Sequence, residues 1–314
     1  MKVILRNHQA PGDILMLTSL VRDWKAKYPE HRIRVKTSTD VLFENNPLIE
    51  KVNIVPRSFN TNAVKLDEQK DLSDNGWLNI DVHYGDEEQL GKKVDNPWSI
   101  HKCGTHKKHF MYGMFGYVNA LLGLDIKLTE LRPDFYLNKE DFGEKVDGGS
   151  YWVVVPGGKP DYLRKIWAKR NWEELFNLLP DTNFVQIGGS EANHIKPVFD
   201  NGTVLNLTGK TTLRQVLSLI HNAKGVICPI TFAMHAASYW PEKKCIVIAG
   251  GGEHHTWEAY PGHDFLHTCG TLECCKDGGC WKGKCSNKNP ETGEQRCMEL
   301  ITAHDVDEIV KGYK

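Results

Sequence analysis

Tyr151-Trp152-Val153-Val154-Val155 is a continuous apolar run that passes straight into Pro156-Gly157-Gly158-Lys159. A short valine-rich run closed by a glycine turn reads as a strand buried on both faces, the kind that fills parallel sheets. The same rhythm continues downstream. Phe184 to Ile187 is a strand ending in Gly188-Gly189, Val204 to Leu207 is another, and Val226-Ile227-Cys228 and Cys245-Ile246-Val247-Ile248 complete the set. Between them Thr212 and Gln215 form a capping box opening a helix whose apolar stripe is Leu213, Val216, Leu217 and Ile220. Strands that alternate with helices predict a parallel, doubly wound sheet.

The N-terminal part repeats the pattern. Val3 to Leu5 is a short strand, a polar loop runs to Asp13, and Ile14, Leu17, Val21, Trp24 and Tyr28 recur at helical spacing until Pro29. Arg32 to Lys36 and Val52 to Val55 read as two more strands, with an Asn46-Pro47 turn between them. From Arg57 to Asn96 the pattern dissolves into polar sequence, either loop or insertion, before a helix near His109 to Leu122. The polar stretch from Asn138 to Ser150, with Gly143, Gly148 and Gly149, is the best linker. An α/β chain of two doubly wound, Rossmann-like domains therefore follows, residues 1–145 and 146–314, with their carboxyl strand edges facing a cleft.

Composition removes several function classes. The 314 residues are 40% hydrophobic and 25% charged, an ordinary globular balance. Thirty-nine basic against 40 acidic residues give a net charge of −1, which removes any global electrostatic case for nucleic acid. The N-terminus offers no signal-peptide core and no apolar run reaches spanning length, which places the chain in a cytoplasm.

Strand ends are where such sheets bind ligands. Pro11-Gly12-Asp13 follows the first strand, so Asp13 is either an ordinary helix N-cap or a general base held ionised by the helix dipole. Gly157-Gly158, then Lys159, Arg164 and Lys165, follow a strand of the second half, and Thr231 to His235 open a helix after another. Glycine backbones and helix starts suit phosphate oxygens, although each feature alone is more often a turn than a ligand site, and His235 is as readily a core histidine. The basic stretch Lys102, His106, Lys107, Lys108 and His109 reads as an acceptor edge for an anionic glycan or lipid head group, or as a solvated helix end.

Taken together these segments resemble glycosyltransferase family 9, the lipopolysaccharide heptosyltransferase family. The resemblance rests on Gly12-Asp13 with its leucine-rich helix, Tyr28-Pro29, Asn46-Pro47-Leu48-Ile49-Glu50-Lys51-Val52, Leu207-Thr208-Gly209-Lys210-Thr211-Thr212-Leu213, and Thr231 to His235, in that order. It implies a two-domain GT-B fold that transfers a heptose from ADP-heptose to a hydroxyl of a surface glycan, without a catalytic metal. The N-terminal domain would hold the acceptor, with Gly12, Lys107 and His109 on that side; a lipid-linked or protein acceptor fits as well, at the inner face of a membrane. Asp13 matches the catalytic base, Lys165 the cation that neutralises donor phosphate, and Glu191 a ribose-binding carboxylate, with Gly157, Gly158, Thr231, Met234 and His235 completing the donor side. One departure stands out. The family's acid and glycine at the donor loop are Ile230 and Phe232 here.

Six of the nine cysteines fall between Cys269 and Cys297. In a reducing compartment such a cluster points to metal rather than disulfides, and four thiolates suit a closed structural zinc or iron site. Cys275, Cys280, Cys285 and Cys297 are the favoured set, Cys274 is the first substitute, and a loop of free thiols is the ordinary alternative. Arg296-Cys297-Met298 before a valine-rich final helix also resembles the family. Two other function classes fit parts of the sequence. A metal-stabilised nucleic-acid-binding module would use the lysines among the cysteines, and a nucleotide-sugar epimerase would share the fold.

Overall fold

The computed structural model describes residues 1–54, 70–73, 76–82, 108–142, 146, 149–159, 164–280 and 285–313, with backbone alone for 51–54 and 70–73. The chain divides into two compact units, one running to Asn138 and the other beginning at Lys139.

In the first unit, β1 (Lys2–Asn7), α1 (Pro11–Lys27), β2 (Arg32–Thr37), β3 (Lys51–Ile54), β4 (Lys70–Ser73), β5 (Trp77–Asp81) and α2 (Phe110–Leu122) follow in order. The five strands lie in the order β3-β2-β1-β5-β4. All neighbours are parallel except β4, which runs antiparallel to β5. Val3, Leu5, Ile33 and Val35 are buried from the strands, and Ile14, Leu17, Val21 and Trp24 from α1, so the helical stripe seen in sequence is the core face.

Two elements here correct the sequence reading. The stretch from Arg57 to Asn96 contains β4 and β5, and β5 sits directly against β1, pairing Val3 with Leu78 and Leu5 with Ile80. It was hidden because buried Asn79 and Asp81 interrupt its apolar pattern, and Asp81 is neutralised by Arg6 at 2.7 Å. Asp13, for its part, is not the N-cap of α1. Ala10 is, and Asp13 sits three residues in, where its carboxylate accepts the Ala10 N–H at 2.8 Å.

The second unit contains β6 (Tyr151–Val154), α3 (Lys169–Leu178), β7 (Asn183–Gln186), β8 (Val204–Asn206), α4 (Leu213–Asn222), β9 (Gly225–Pro229), α5 (Phe232–Ala237), β10 (Lys244–Gly250), α6 (His255–Glu258), β11 (His263–His267), α7 (Arg296–Glu299) and α8 (Ala303–Gly312). Its six strands are all parallel, in the order β11-β10-β9-β6-β7-β8. Counted within the unit this is the doubly wound 3-2-1-4-5-6 order, in which the chain reverses direction between β6 and β9 and opens a crevice at their carboxyl ends. Sequence reading missed α3 and β11. Trp172, Leu175 and Phe176 form a helical face on α3, while β11 is an edge strand, half-buried from His263 to Leu266 and exposed at His267.

Trp152, Trp167, Trp172, Phe176 and Phe184 pack with Ile301, Val306 and Val310 into one core cluster. Trp167 and Trp172 meet edge to face at 5.0 Å, and the Trp167 indole N–H donates to the Ile301 carbonyl at 2.8 Å. That bond ties the segment just after Lys165 to the C-terminal helices. The capping box predicted at Thr212 and Gln215 is formed.

Candidate donor site at the carboxyl edge of the second sheet

Lys165 follows β6, with fully buried Trp167 two residues on to fix the backbone beneath it. Its ammonium lies 2.7 Å from Glu253 Oε1, and about a fifth of its side chain is exposed, whereas Glu253 is 2% exposed. Arg164, equally buried, stands 4.0 Å from the same carboxylate oxygen. Glu253 belongs to the loop between β10 and α6. Burial first and the adjacent Glu258 carboxyl second push its pKa up to about 8, against the pull of Lys165. Burial alone would lower the Lys165 pKa, but Glu253 and Glu258 beside it outweigh that and hold it raised.

Glu258 continues the chain of contacts. Its Oε1 lies 3.6 Å from His235 Nε2, and His235 Nδ1 is 2.7 Å from the Tyr260 hydroxyl. Tyr260 packs against His263, whose pKa burial, and then His235, lower to about 4, so that its ring is neutral. The loops after β6, β9 and β10 thus meet in one polar network running Lys165, Glu253, Glu258, His235, Tyr260. Sequence analysis singled out Lys165 and His235; Glu253, Glu258 and Tyr260, which join them, it passed over. A buried carboxylate has no local signature, since Gly252-Glu253-His254-His255-Thr256-Trp257-Glu258 looks like a solvated turn.

The remaining donor-side residues are dispersed. The Gly158 N–H donates to the Ile195 carbonyl at 3.2 Å and its carbonyl accepts the Ile195 N–H at 2.8 Å; a Cβ on Gly157 would lie 2.1 Å from that Ile195 oxygen. These glycines therefore admit the returning chain. Glu191 is half-exposed, 3.3 Å from His194 Nδ1. Thr231 is the N-cap of the six-residue α5, and its hydroxyl is buried without a hydrogen-bond partner, while Met234 is fully buried in the core.

In the first unit Gly12 is buried and Asp13 half-buried at the carboxyl end of β1, beside β5, which is that sheet's own point of reversal. His109 is buried as the N-cap of α2, its Nδ1 accepting the Met111 N–H at 3.2 Å. Lys107 lies outside the described residues.

The family model for glycosyltransferase family 9 (heptosyltransferase) matches residues 114–260, which hold Lys165, His235, Glu253, Glu258 and Tyr260. Over that stretch the chain is similar to glycosyltransferase family 9. Among solved structures, it resembles the family 9 glycosyltransferase from Veillonella parvula DSM 2008 at 14% identity and a TM-score of 0.64, over 99% of this chain and 96% of that one. The ADP-heptose lps heptosyltransferase II of E. coli is 15% identical at a TM-score of 0.64, covering 100% and 98%. TibC of enterotoxigenic E. coli H10407, described as an iron-containing dodecameric glycosyltransferase, is 16% identical at 0.62, over 99% of this chain and 75% of that one. The fold is the α/β GT-B arrangement of these structures. Comparison with curated proteins gave no match.

The cysteine-rich segment packs against the loop that carries Glu253. Cys275 Sγ donates to the Thr268 carbonyl at 3.3 Å, Cys269 Sγ to the Glu253 carbonyl at 3.0 Å, and the Thr268 hydroxyl donates to the Cys297 carbonyl at 3.0 Å. Burial pushes the Cys269 thiol to about 12 and the Cys297 thiol to about 11. Among the described residues no three His, Cys, Asp or Glu side chains are grouped so as to hold a metal ion. Cys275 and Cys297 both come against Gly251, and the Cys280 N–H donates to the Gly251 carbonyl, so these three cysteines meet at one loop.

Proposed function

We propose that the chain transfers a heptose from ADP-heptose to a hydroxyl of a surface glycan such as lipopolysaccharide core. The observation that carries this reading is Lys165. It is a cation at the carboxyl edge of a doubly wound sheet, anchored by buried neighbours and open enough to meet an anion. As the acceptor oxygen attacks the anomeric carbon, its proton passes to the Asp13 carboxylate. The bond from that carbon to the β-phosphate oxygen breaks, and the electron pair leaves with ADP, whose growing charge Lys165 offsets. The likeness to the ADP-heptose lps heptosyltransferase II of E. coli supports an ADP-heptose donor. Ile230 and Phe232, which stand where the family carries an acid and a glycine, leave the sugar as the variable part of the donor.

The test is a thermal-shift panel of ADP-, UDP- and GDP-sugars. A shift with ADP-sugars alone is expected, and no shift with any nucleotide would sink the transferase reading. Product analysis with and without acceptor separates transfer from epimerisation.

For the cysteine-rich segment we propose a structural zinc or iron held by Cys275, Cys280, Cys285 and Cys297, with Cys274 in reserve. The iron described for TibC and the convergence of these thiols support it. Binding would require the thiols to release their protons, and burial opposes that release at Cys297. Elemental analysis of the purified protein should find about one equivalent of metal per chain; a metal-free protein of full activity would remove the proposal. The cytoplasmic side of a membrane is the proposed place of work, and among the described residues no helix is long and apolar enough to cross one.

A further inference from the structure

The loop from Gly250 to His254 is held from two sides. On one, a Cβ on Gly252 would stand 2.7 Å from Arg164 Cδ, so the loop lies against the residue that precedes Lys165. On the other is the cysteine-rich segment. The Cys280 N–H donates to the Gly251 carbonyl at 3.1 Å, and Cys269 Sγ to the Glu253 carbonyl at 3.0 Å. A Cβ on Gly279 would lie 2.5 Å from both the Glu253 carbonyl carbon and the His254 nitrogen, and one on Gly251 would lie 2.9 Å from Cys275 Sγ. The segment grips the backbone of the residue whose carboxylate meets the Lys165 ammonium.

We propose that Glu253 is a positioning residue that holds Lys165 for the diphosphate of the donor, and that the cysteine-rich segment sets Glu253 in place through its backbone. A lysine is a compact charge on a flexible four-carbon stem, and fixing that stem before the ligand arrives removes an ordering cost from binding. Arg164 and Lys165 are two cations beside this single carboxyl, so an incoming diphosphate still finds attraction. The cysteine segment then acts on donor binding without touching the donor. The inference rests on the reading of Lys165 as the diphosphate-binding cation.

The experiment measures ADP affinity together with donor KM and kcat on the full chain. Lys165→Ala tests the underlying reading: unchanged ADP affinity would end it. With that variant weakened, Glu253→Ala is expected to raise the ADP dissociation constant and donor KM about tenfold, with kcat changed less than about threefold. Glu253→Gln keeps an acceptor for the ammonium and should recover part of the loss. Unchanged or tighter ADP binding by Glu253→Ala would overturn the positioning role, since the carboxyl would then be idle or a competitor of phosphate. Gly279→Ala should act in the same direction, and the double variant with Glu253→Ala should be no worse than Glu253→Ala alone. Additive losses would overturn the role of the cysteine segment. Should Gly279→Ala fail to fold, Cys269→Ala removes the bond to the Glu253 carbonyl and Cys269→Ser restores a donor; equal ADP affinity in those two and the parent protein would overturn the same half of the proposal.

Discussion

The carboxyl edges of the two sheets are built in different ways. In the first unit two short pairings stand there among the described residues: Asp13 accepts the N–H of Ala10 three residues back, and Arg6 meets Asp81 on the neighbouring strand. In the second unit, five side chains from the loops after β6, β9 and β10 share a single buried network, and a further segment braces one of those loops. A pairing made within one helix turn survives most changes elsewhere. A buried polar network stands or falls as a unit, because a lost member leaves its neighbour unpaired in low dielectric.

The largest expected effect tests the simple side of that contrast. Asp13→Asn keeps an oxygen that can accept the Ala10 N–H but cannot take a proton from the acceptor. Transfer should fall by about 10²–10⁴, the usual scale for a general base, while ADP affinity stays within about twofold and the melting temperature barely moves. Turnover near the parent rate would reduce Asp13 to a helix-start residue. Asp13→Ala, which also removes the hydrogen bond, should lose roughly a further 1 kcal/mol of stability without a further loss of rate.

Next comes the core beneath the network. Trp172→Ala empties a fully buried site between Trp167 and Phe176 and should cost about 3–5 kcal/mol in denaturant unfolding. Since Trp167 shares that contact and lies two residues from Lys165, ADP affinity should weaken in the folded variant. A cost below about 1 kcal/mol would mean that the cluster closes over the gap.

The same contrast decides what could be read from the sequence. Parallel strands announce themselves when both faces are apolar, as at Tyr151 to Val155, and the capping box at Thr212 is a four-residue pattern. β5 escaped because its buried Asn79 and Asp81 are apolar-strand positions filled by polar groups, with Asp81 compensated by Arg6 from a distant part of the chain. Glu253 and Glu258 escaped for the same reason. Their pairing with Lys165 and His235 exists only in three dimensions, so locally they look like any charged turn. Lys165 and His235 were found from their places after buried strands and through the resemblance, and nothing in their own neighbourhoods revealed that two carboxyls connect them.

A titration sharpens the network side. With the Glu253 pKa at about 8 against an ordinary 4.5, the folded protein keeps a proton through that window that the unfolded chain has released. The folded state binds more protons there, so this group makes stability fall as pH rises, at no more than about 1.4 kcal/mol per pH unit for one proton. Glu253→Gln cannot titrate. Urea unfolding between pH 5 and 8 should give the variant a less negative slope than the parent protein, and the difference between the slopes isolates this carboxyl from the histidines that titrate alongside it. Equal slopes would place the proton outside Glu253.

The smallest effect lies where local sequence explains everything. Thr212 accepts the Gln215 N–H at 3.2 Å and its own N–H is met by the Gln215 side chain at 2.8 Å, both at the exposed start of α4. Thr212→Ala removes the hydroxyl that satisfies one of four orphan donors and should cost about 1 kcal/mol, read from the denaturant midpoint. ADP affinity should not change, because the cap belongs to a pairing complete within four residues. Were Thr212→Ala to weaken ADP binding as Glu253→Ala is expected to, the network would extend into α4, and the distinction between locally and globally built parts of this unit would dissolve.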